Sequence, residues 1–235
     1  MTIPTDDDSS TDRAERLRRS WDANADAWRD AVRDHQIESR EMATDAAVVG
    51  AVLDATPDRV LDVGCGEGWL CRSLAEHGVE AVGVDGSAPL IEAARERGGG
   101  SFYVASYAEM ADDPGRLGEA YDVVVCNFAL LDEDLQPLLR ALRTLCVPSG
   151  RLVVQTVHPW AACGDQPYAD GWRTEDFQGF DTSFEEPMPW YFRTMASWVA
   201  TLREAGWPLH AVREPRHPDT GDPLSLLLTC TPSTA

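Results

Sequence analysis

The 235-residue chain contains no lysine: all 20 of its basic residues are arginine, against 40 Asp and Glu, for a formal charge of -20. Such a charge opposes binding to a polyanion such as RNA, DNA or an acidic membrane surface. Excess acid without lysine suits a surface kept hydrated at high salt, and equally a GC-rich genome that prefers arginine codons. Paired cysteines are missing too. Cys65, Cys71, Cys126, Cys146, Cys163 and Cys230 form no C-x-x-C pair and no Cys/His cluster, which predicts a reduced, cytoplasmic protein without a structural metal. Several lie inside apolar segments, as small buried residues do. No apolar run approaches the ~18 residues of a membrane span, and the acidic, polar start is not that of a signal peptide.

What is there centres on Val60-Leu61-Asp62-Val63-Gly64-Cys65-Gly66-Glu67-Gly68-Trp69-Leu70. An apolar strand, Arg59 to Val63, runs into three glycines at every second position, and a helix follows at once. A gap, a helix N-terminus and several backbone N–H groups converge there, which suits the polar end of a nucleotide-like ligand. About twenty residues on, a second apolar strand ends at Asp85, placed to hold a ribose diol. The bland alternative is a tight strand-to-helix turn with no ligand.

Spacing narrows the nucleotide. The dinucleotide fingerprint is G-x-G-x-x-G, with a third glycine for close helix packing. Here Trp69 takes that third place, and Asp62 would repel phosphate while accepting a hydrogen bond from an ammonium group. The D-x-G-x-G-x-G run resembles motif I of the class I S-adenosylmethionine (SAM)-dependent methyltransferases, and Val82-Gly83-Val84-Asp85-Gly86-Ser87 resembles their acidic ribose loop. That resemblance covers roughly Val60 to Cys230, with its specific part at 60–87. It implies SAM as cofactor, S-adenosylhomocysteine as product, and a Rossmann-like α/β fold with a seven-stranded, mostly parallel sheet whose last strand is antiparallel.

Taken in order, residues 1–10 are polar and predicted disordered. A helix is predicted from Thr11 to about Arg33, with Leu17, Trp21, Ala25, Trp28 and Val32 at helical spacing, and a second from Arg40 to Ala55. These form an N-terminal cap, 11–57, on a SAM-binding domain, 58–235, the whole being one structural domain. Strand 59–63, helix 69–77, strand 80–84, helix 89–97, strand 101–104, strand 121–126, helix 135–146 and strand 151–156 then alternate. Near-continuous Val/Leu/Ile strands in this cadence predict a parallel sheet covered on both faces. From 157 to 191 the pattern breaks into an aromatic insert without period, long enough to be functional as a substrate lid. A helix from Phe192 to Ala205 and strands at 209–214 and 224–230 close the chain.

Ligands of open α/β sheets sit beyond the carboxyl ends of the parallel strands. The candidates there are Asp62, Gly64, Cys65, Gly66 and Gly68 after strand one, and Asp85, Gly86 and Ser87 after strand two. The resemblance implies that the loop after strand three holds adenine; where relatives carry an acid, this chain has Ser106, beside Tyr107. It also implies that Asn127 and Phe128, after strand four, line the methionine part of SAM, and that Trp28, His35 and Arg40 of the cap face the site. Arg40 would pair with the methionine carboxylate or is a solvated arginine; Trp21 and Trp28 would otherwise pack as core.

Strand five ends at His158, the candidate general base, with a hydrogen-bonded structural histidine as the alternative. Glu214, Arg216 and His217 follow the sixth strand to the same edge, and Glu214 and His217 are candidate substrate contacts. Trp160, Trp190 and Tyr191 would wall an apolar acceptor pocket, the alternative being rings that pack the insert onto the sheet. Cys126-Asn127-Phe128-Ala129 is not the (Asp/Asn)-Pro-Pro-Tyr motif of nucleic-acid amino-methyltransferases. The chain is therefore expected to methylate O, N or C of a small metabolite, as a monomer or homodimer. A tRNA or protein methyltransferase and a non-catalytic SAM-binding protein are the other readings; Trp69 disfavours a dinucleotide oxidoreductase.

Overall fold

A computed structural model describes residues 10–180 and 182–233. The predicted disordered tail lies, apart from Ser10, outside the described residues. Nine strands are present among them: β1 (Arg59–Val63), β2 (Glu80–Asp85), β3 (Ser101–Val104), β4 (Tyr121–Asn127), β5 (Cys146–Val157), β6 (Gly171–Glu175), β7 (Met188–Phe192), β8 (Leu209–Arg213) and β9 (Ser225–Cys230). Seven of them form one sheet in the order β3-β2-β1-β4-β5-β9-β8. β1 to β5 are mutually parallel, and β9 runs antiparallel between β5 and β8. The expected mostly parallel seven-stranded α/β sheet is thus present.

Both faces of this sheet are covered, which is why its central strands are apolar without alternation. On one face, α3 (Asp45–Leu53) and α4 (Trp69–Glu76) bury Val48, Val52, Leu70 and Leu74 against Val60, Val123, Val125 and Val153. α5 (Ala88–Arg97) continues that layer, with Ile91 and Ala94 on Phe102 and Ala81. On the other face α6 (Tyr107–Asp112), α7 (Gln136–Leu145) and α9 (Met195–Glu204) bury Met110, Leu138, Leu142, Trp198 and Leu202 against Leu61, Val124, Leu152 and Leu226. Trp207 is fully enclosed there and donates its indole N–H to the Leu139 carbonyl at 2.8 Å. Truncating a ring so placed to alanine costs about 3–5 kcal/mol.

Several segments differ from the sequence expectation, each for a local reason. The helix expected over 11–33 is two, α1 (Ser10–Ala23) and α2 (Ala25–Arg33), broken at Asn24, whose buried side chain bonds outside its own helix. The next helix opens with a π-helical turn, Arg40–Thr44, before α3. An unanticipated short helix, α6, follows its cap Ser106, and β5 begins at Cys146, since 146–150 continue the strand. The insert holds regular structure: α8 (Pro159–Cys163) is followed by an antiparallel ribbon of β6 and β7. That ribbon takes Phe192, so α9 begins only at Met195.

Candidate active site

Backbone geometry builds the centre. Gly64, Gly66 and Gly68 have φ of +75°, +55° and +80°, the left-handed region that side chains disfavour. Their roles differ. A Cβ on Gly64 would lie 2.3 Å from the Ala129 Cβ, so this glycine lets the ends of β1 and β4 approach. A Cβ on Gly66 would meet nothing within 4 Å, so this glycine faces open space, as a ligand cradle must. Gly86, at the tip of β2, is equally open. The Asp85 carboxylate joins the two loops by accepting the N–H of Gly66 (2.9 Å) and that of Ser87 (2.8 Å). Burial still leaves Asp85 above the usual carboxylate range, the two backbone donors opposing the shift. The Cys65 side chain turns inward, onto Phe102 and Ala81, leaving only its main chain at the mouth.

Beneath the turn lies a buried polar row on the α3 face. Asp62 is fully buried; Oδ2 accepts a weak bond from the Cys71 thiol at 3.6 Å, and Oδ1 has no partner. Burial, with a smaller push from Asp85, raises its pKa to about 7. Next along the sheet, the Gln155 amide donates to Asn127 Oδ1 (2.9 Å) and to the Thr44 carbonyl (3.0 Å). Phe128 follows with φ +53°, held by its N–H to the Gln155 carbonyl at 2.7 Å. The hydroxyls of Thr44 and Ser87 are buried without partners. Such orphan atoms are costly unless something completes them.

Other candidates are already occupied. Ser106 forms a capping box with Glu109: its hydroxyl and N–H both donate to the Glu109 carboxylate at 2.8 Å. Its hydroxyl thus serves the start of α6. The Tyr107 hydroxyl donates to the Ala129 carbonyl at 2.6 Å, bracing the loop beside Gly64. Arg40 is paired with Asp45 (2.9 Å) and lies 4.4 Å over the Trp69 ring, so it sits at the mouth of the turn but is neither solvated nor free. His35 bonds Glu41 on the surface.

His158 is buried, and both ring nitrogens are engaged. Nδ1 accepts the Trp160 N–H (3.2 Å) to cap α8, and Nε2 lies 3.0 Å from Glu214 Oε1. The hydrogen bond from His158 holds the Glu214 carboxyl below its ordinary range, and Arg216 adds to this at 3.1 Å. With both nitrogens so engaged, no lone pair of the imidazole is open to a substrate proton in this arrangement. His217 Nδ1 accepts the N–H groups of Asp219 and Thr220, closing its own turn rather than facing the cleft. Trp160 is 70% exposed and lies outside the narrow cleft, between β7 and the ends of β4 and β5, that Trp190 and Tyr191 line.

Comparison with known proteins gives this geometry its family. Residues 33–212 match the profile of a methyltransferase domain. The chain belongs to this methyltransferase family. A ubiquinone biosynthesis O-methyltransferase of Aeromonas salmonicida is 37% identical over 106 residues, covering 43% of each chain. The chain spans about two fifths of the length of the curated relatives it matches. Among solved structures, the DhpI-SAH complex aligns with a TM-score of 0.65 at 21% identity, over 97% of this chain and 100% of that one. The 1,6-didemethyltoxoflavin-N1-methyltransferase of Burkholderia thailandensis, with bound 1,6-didemethyltoxoflavin and S-adenosylhomocysteine, aligns at 0.63 with 18% identity, over 100% of this chain and 94% of that one. Both share the fold.

This methyltransferase-family chain also uses residues that sequence alone did not single out. Glu67, between two of the glycines, is buried between Arg33 of α2 (3.3 Å) and Arg72 of α4 (2.5 Å), pinning the turn to the cap. Asn24 ties the cap to the insert, accepting the Glu185 N–H and donating to the Glu186 carbonyl, both at 2.7 Å. Around it Trp28 packs on Trp21, Phe177, Phe180 and Phe184 at centroid distances of 5.1 to 5.7 Å. Trp21 and Trp28 thus pack as core, against the insert. Only Gln155, a polar side chain inside Leu-Val-Val-Gln-Thr-Val, carried a visible signal.

Proposed function

We propose that this chain transfers the methyl group of SAM to O, N or C of a small acceptor, releasing S-adenosylhomocysteine. The observation that carries this is the open face of Gly66 opposite the Asp85 carboxylate. One presents backbone to a ligand, and the other keeps free lone pairs for a ribose diol. The residues present fit SAM. The orphan Oδ1 of Asp62 suits an ammonium group, and Gly86 and the buried Ser87 hydroxyl line the nucleoside side. A methyltransferase with S-adenosylhomocysteine and 1,6-didemethyltoxoflavin bound shares the fold, and the small acceptor in its name supports a small acceptor here.

Bound SAM supplies an electrophilic methyl on a sulfonium. The chain's own work is alignment and exclusion of water, which can supply most of the acceleration in a displacement of this kind. Glycines 64–68 set the backbone, Asp85 orients, and the cap–insert unit closes the edge. With His158 committed to Trp160 and Glu214, an acceptor that ionises readily or carries a lone pair is favoured over one needing a strong base. Absence of lysine and a charge of -20 support a metabolite rather than a nucleic acid as acceptor. No helix among the described residues is long and apolar enough to cross a membrane; free thiols and this surface support action in the cytoplasm.

Calorimetry with SAM, S-adenosylhomocysteine, NAD and NADP tests the cofactor. Uptake of the two sulfur nucleosides is expected. Binding of NAD in their place would overturn the proposal.

A further inference from the structure

Beside the glycine turn, a cleft is walled by Leu130, Thr156, Trp190, Tyr191, Trp198 and Arg193. Arg193 is 3% exposed. Its Nη2 donates to the carbonyls of Asp132 (2.5 Å) and Glu133 (2.6 Å), while Nη1 is buried without a hydrogen-bond partner. Tyr191 and Trp198 stack on the guanidinium at 4.8 and 5.2 Å. Among the described residues no carboxylate pairs with it at contact distance. Asp132, Glu133 and Asp170 act on it only at longer range, and the Asp132 carboxylate is turned to the Glu133 N–H at 2.7 Å.

Scarcity of acid does not explain this, because Asp and Glu outnumber arginine 40 to 20. A buried guanidinium with an unbonded nitrogen and no carboxylate in direct contact is costly, the acids at longer range offsetting only part of it. Its planar fork matches a carboxylate, and stacked rings restrain it. The neighbouring wall is aromatic, a surface for a planar ring. Leu130 follows β4 and Thr156 belongs to the end of β5, so the cleft opens on the ligand edge of the sheet.

We propose that this cleft receives the methyl acceptor and that the acceptor is a small aromatic acid, its carboxylate docked on Nη1 of Arg193. The inference rests on the methyl-transfer reading above. The carboxylate then takes the hydrogen bond that Nη1 lacks.

The test uses full-length protein saturated with S-adenosylhomocysteine. Titration calorimetry follows benzoate, phenylacetate and indole-3-carboxylate, each beside its neutral amide. At least one acid is expected to bind about tenfold or more tighter than its amide, roughly 1.4 kcal/mol. Arg193→Gln should abolish that preference and Arg193→Lys should restore part of it, with S-adenosylhomocysteine affinity unchanged. Wild-type protein that takes up S-adenosylhomocysteine but shows no preference for any acid overturns the anion site, and this comparison needs no variant to fold. A preference surviving in Arg193→Gln overturns it as well. Protein that does not bind S-adenosylhomocysteine refutes instead the reading on which the site rests.

Discussion

His158 Nε2 lies 3.0 Å from Glu214 Oε1, which clamps the end of β5 to the chain leaving β8 across the intervening β9. With the other ring nitrogen on the Trp160 main-chain N–H, neither is open to a substrate in this arrangement. His158→Gln is therefore expected to lower thermal stability while changing kcat by less than about tenfold. Loss of a general base costs typically 10²–10⁴ in rate. A fall of that size in a folded variant, with SAM affinity intact, would restore His158 as the base.

Gly64 and Gly66 separate folding from binding. Either change to alanine forces a side chain into the left-handed region, at about 1–2 kcal/mol. At Gly64 the new methyl also collides with Ala129, so Gly64→Ala should unfold at markedly lower temperature. At Gly66 the methyl enters open space, so Gly66→Ala should stay folded but bind SAM at least about tenfold more weakly. Thermal melts and calorimetry on both variants decide it; equal SAM affinity in Gly66→Ala would show that the cradle lies elsewhere.

Asp62 makes a pH-dependent contribution of known sign. Burial holds its pKa at about 7 in the folded chain, against 3.8 as its ordinary value. Between these values the unfolded chain has released a proton that the folded chain keeps, so stability falls as pH rises through this window. The deficit is complete above about 7 and amounts to a few kcal/mol, at about 1.4 kcal/mol per pKa unit. Asp62→Asn should therefore melt higher than wild type at pH 8, the gap closing toward pH 4. An ammonium needs the ionised carboxylate, so SAM affinity should rise with pH up to about 7 in wild type and lose that slope in Asp62→Asn.

The parts of the site visible in sequence are those that main-chain geometry dictates locally. Gly64, Gly66 and Gly68 must be glycine, and Asp85 stands at the tip of a strand recognisable by its apolar run. What stayed hidden depends on partners far away in the chain. Nothing around His158 announces Glu214, 56 residues on. Arg40 could not reveal its stacking on Trp69. The ribbon in the insert was masked because Pro189 interrupts β7, which is tolerated since a two-stranded ribbon has only edges. The break at Asn24 was invisible because the alanines and tryptophans around it keep helical spacing on either side.

Asn24 is where the cap and the insert can be uncoupled. Its buried amide accepts from Glu185 and donates to the Glu186 carbonyl and to the Ser20 hydroxyl. Asn24→Ala leaves the Glu185 N–H without its acceptor and the Glu186 carbonyl with only the Ser20 hydroxyl, at about 1–3 kcal/mol for a group that stays dry. The aromatic cluster of Trp28, Phe177 and Phe184 remains, so the segment should loosen rather than detach. Hydrogen exchange should accelerate across 176–188 while β1, β4 and β5 keep their protection, because the sheet core does not depend on this contact. If the insert closes over the acceptor, the same variant should raise its KM and leave SAM affinity within about twofold. Unchanged exchange across 176–188 would mean that the ring cluster alone holds the insert and that Asn24 serves only to end α1.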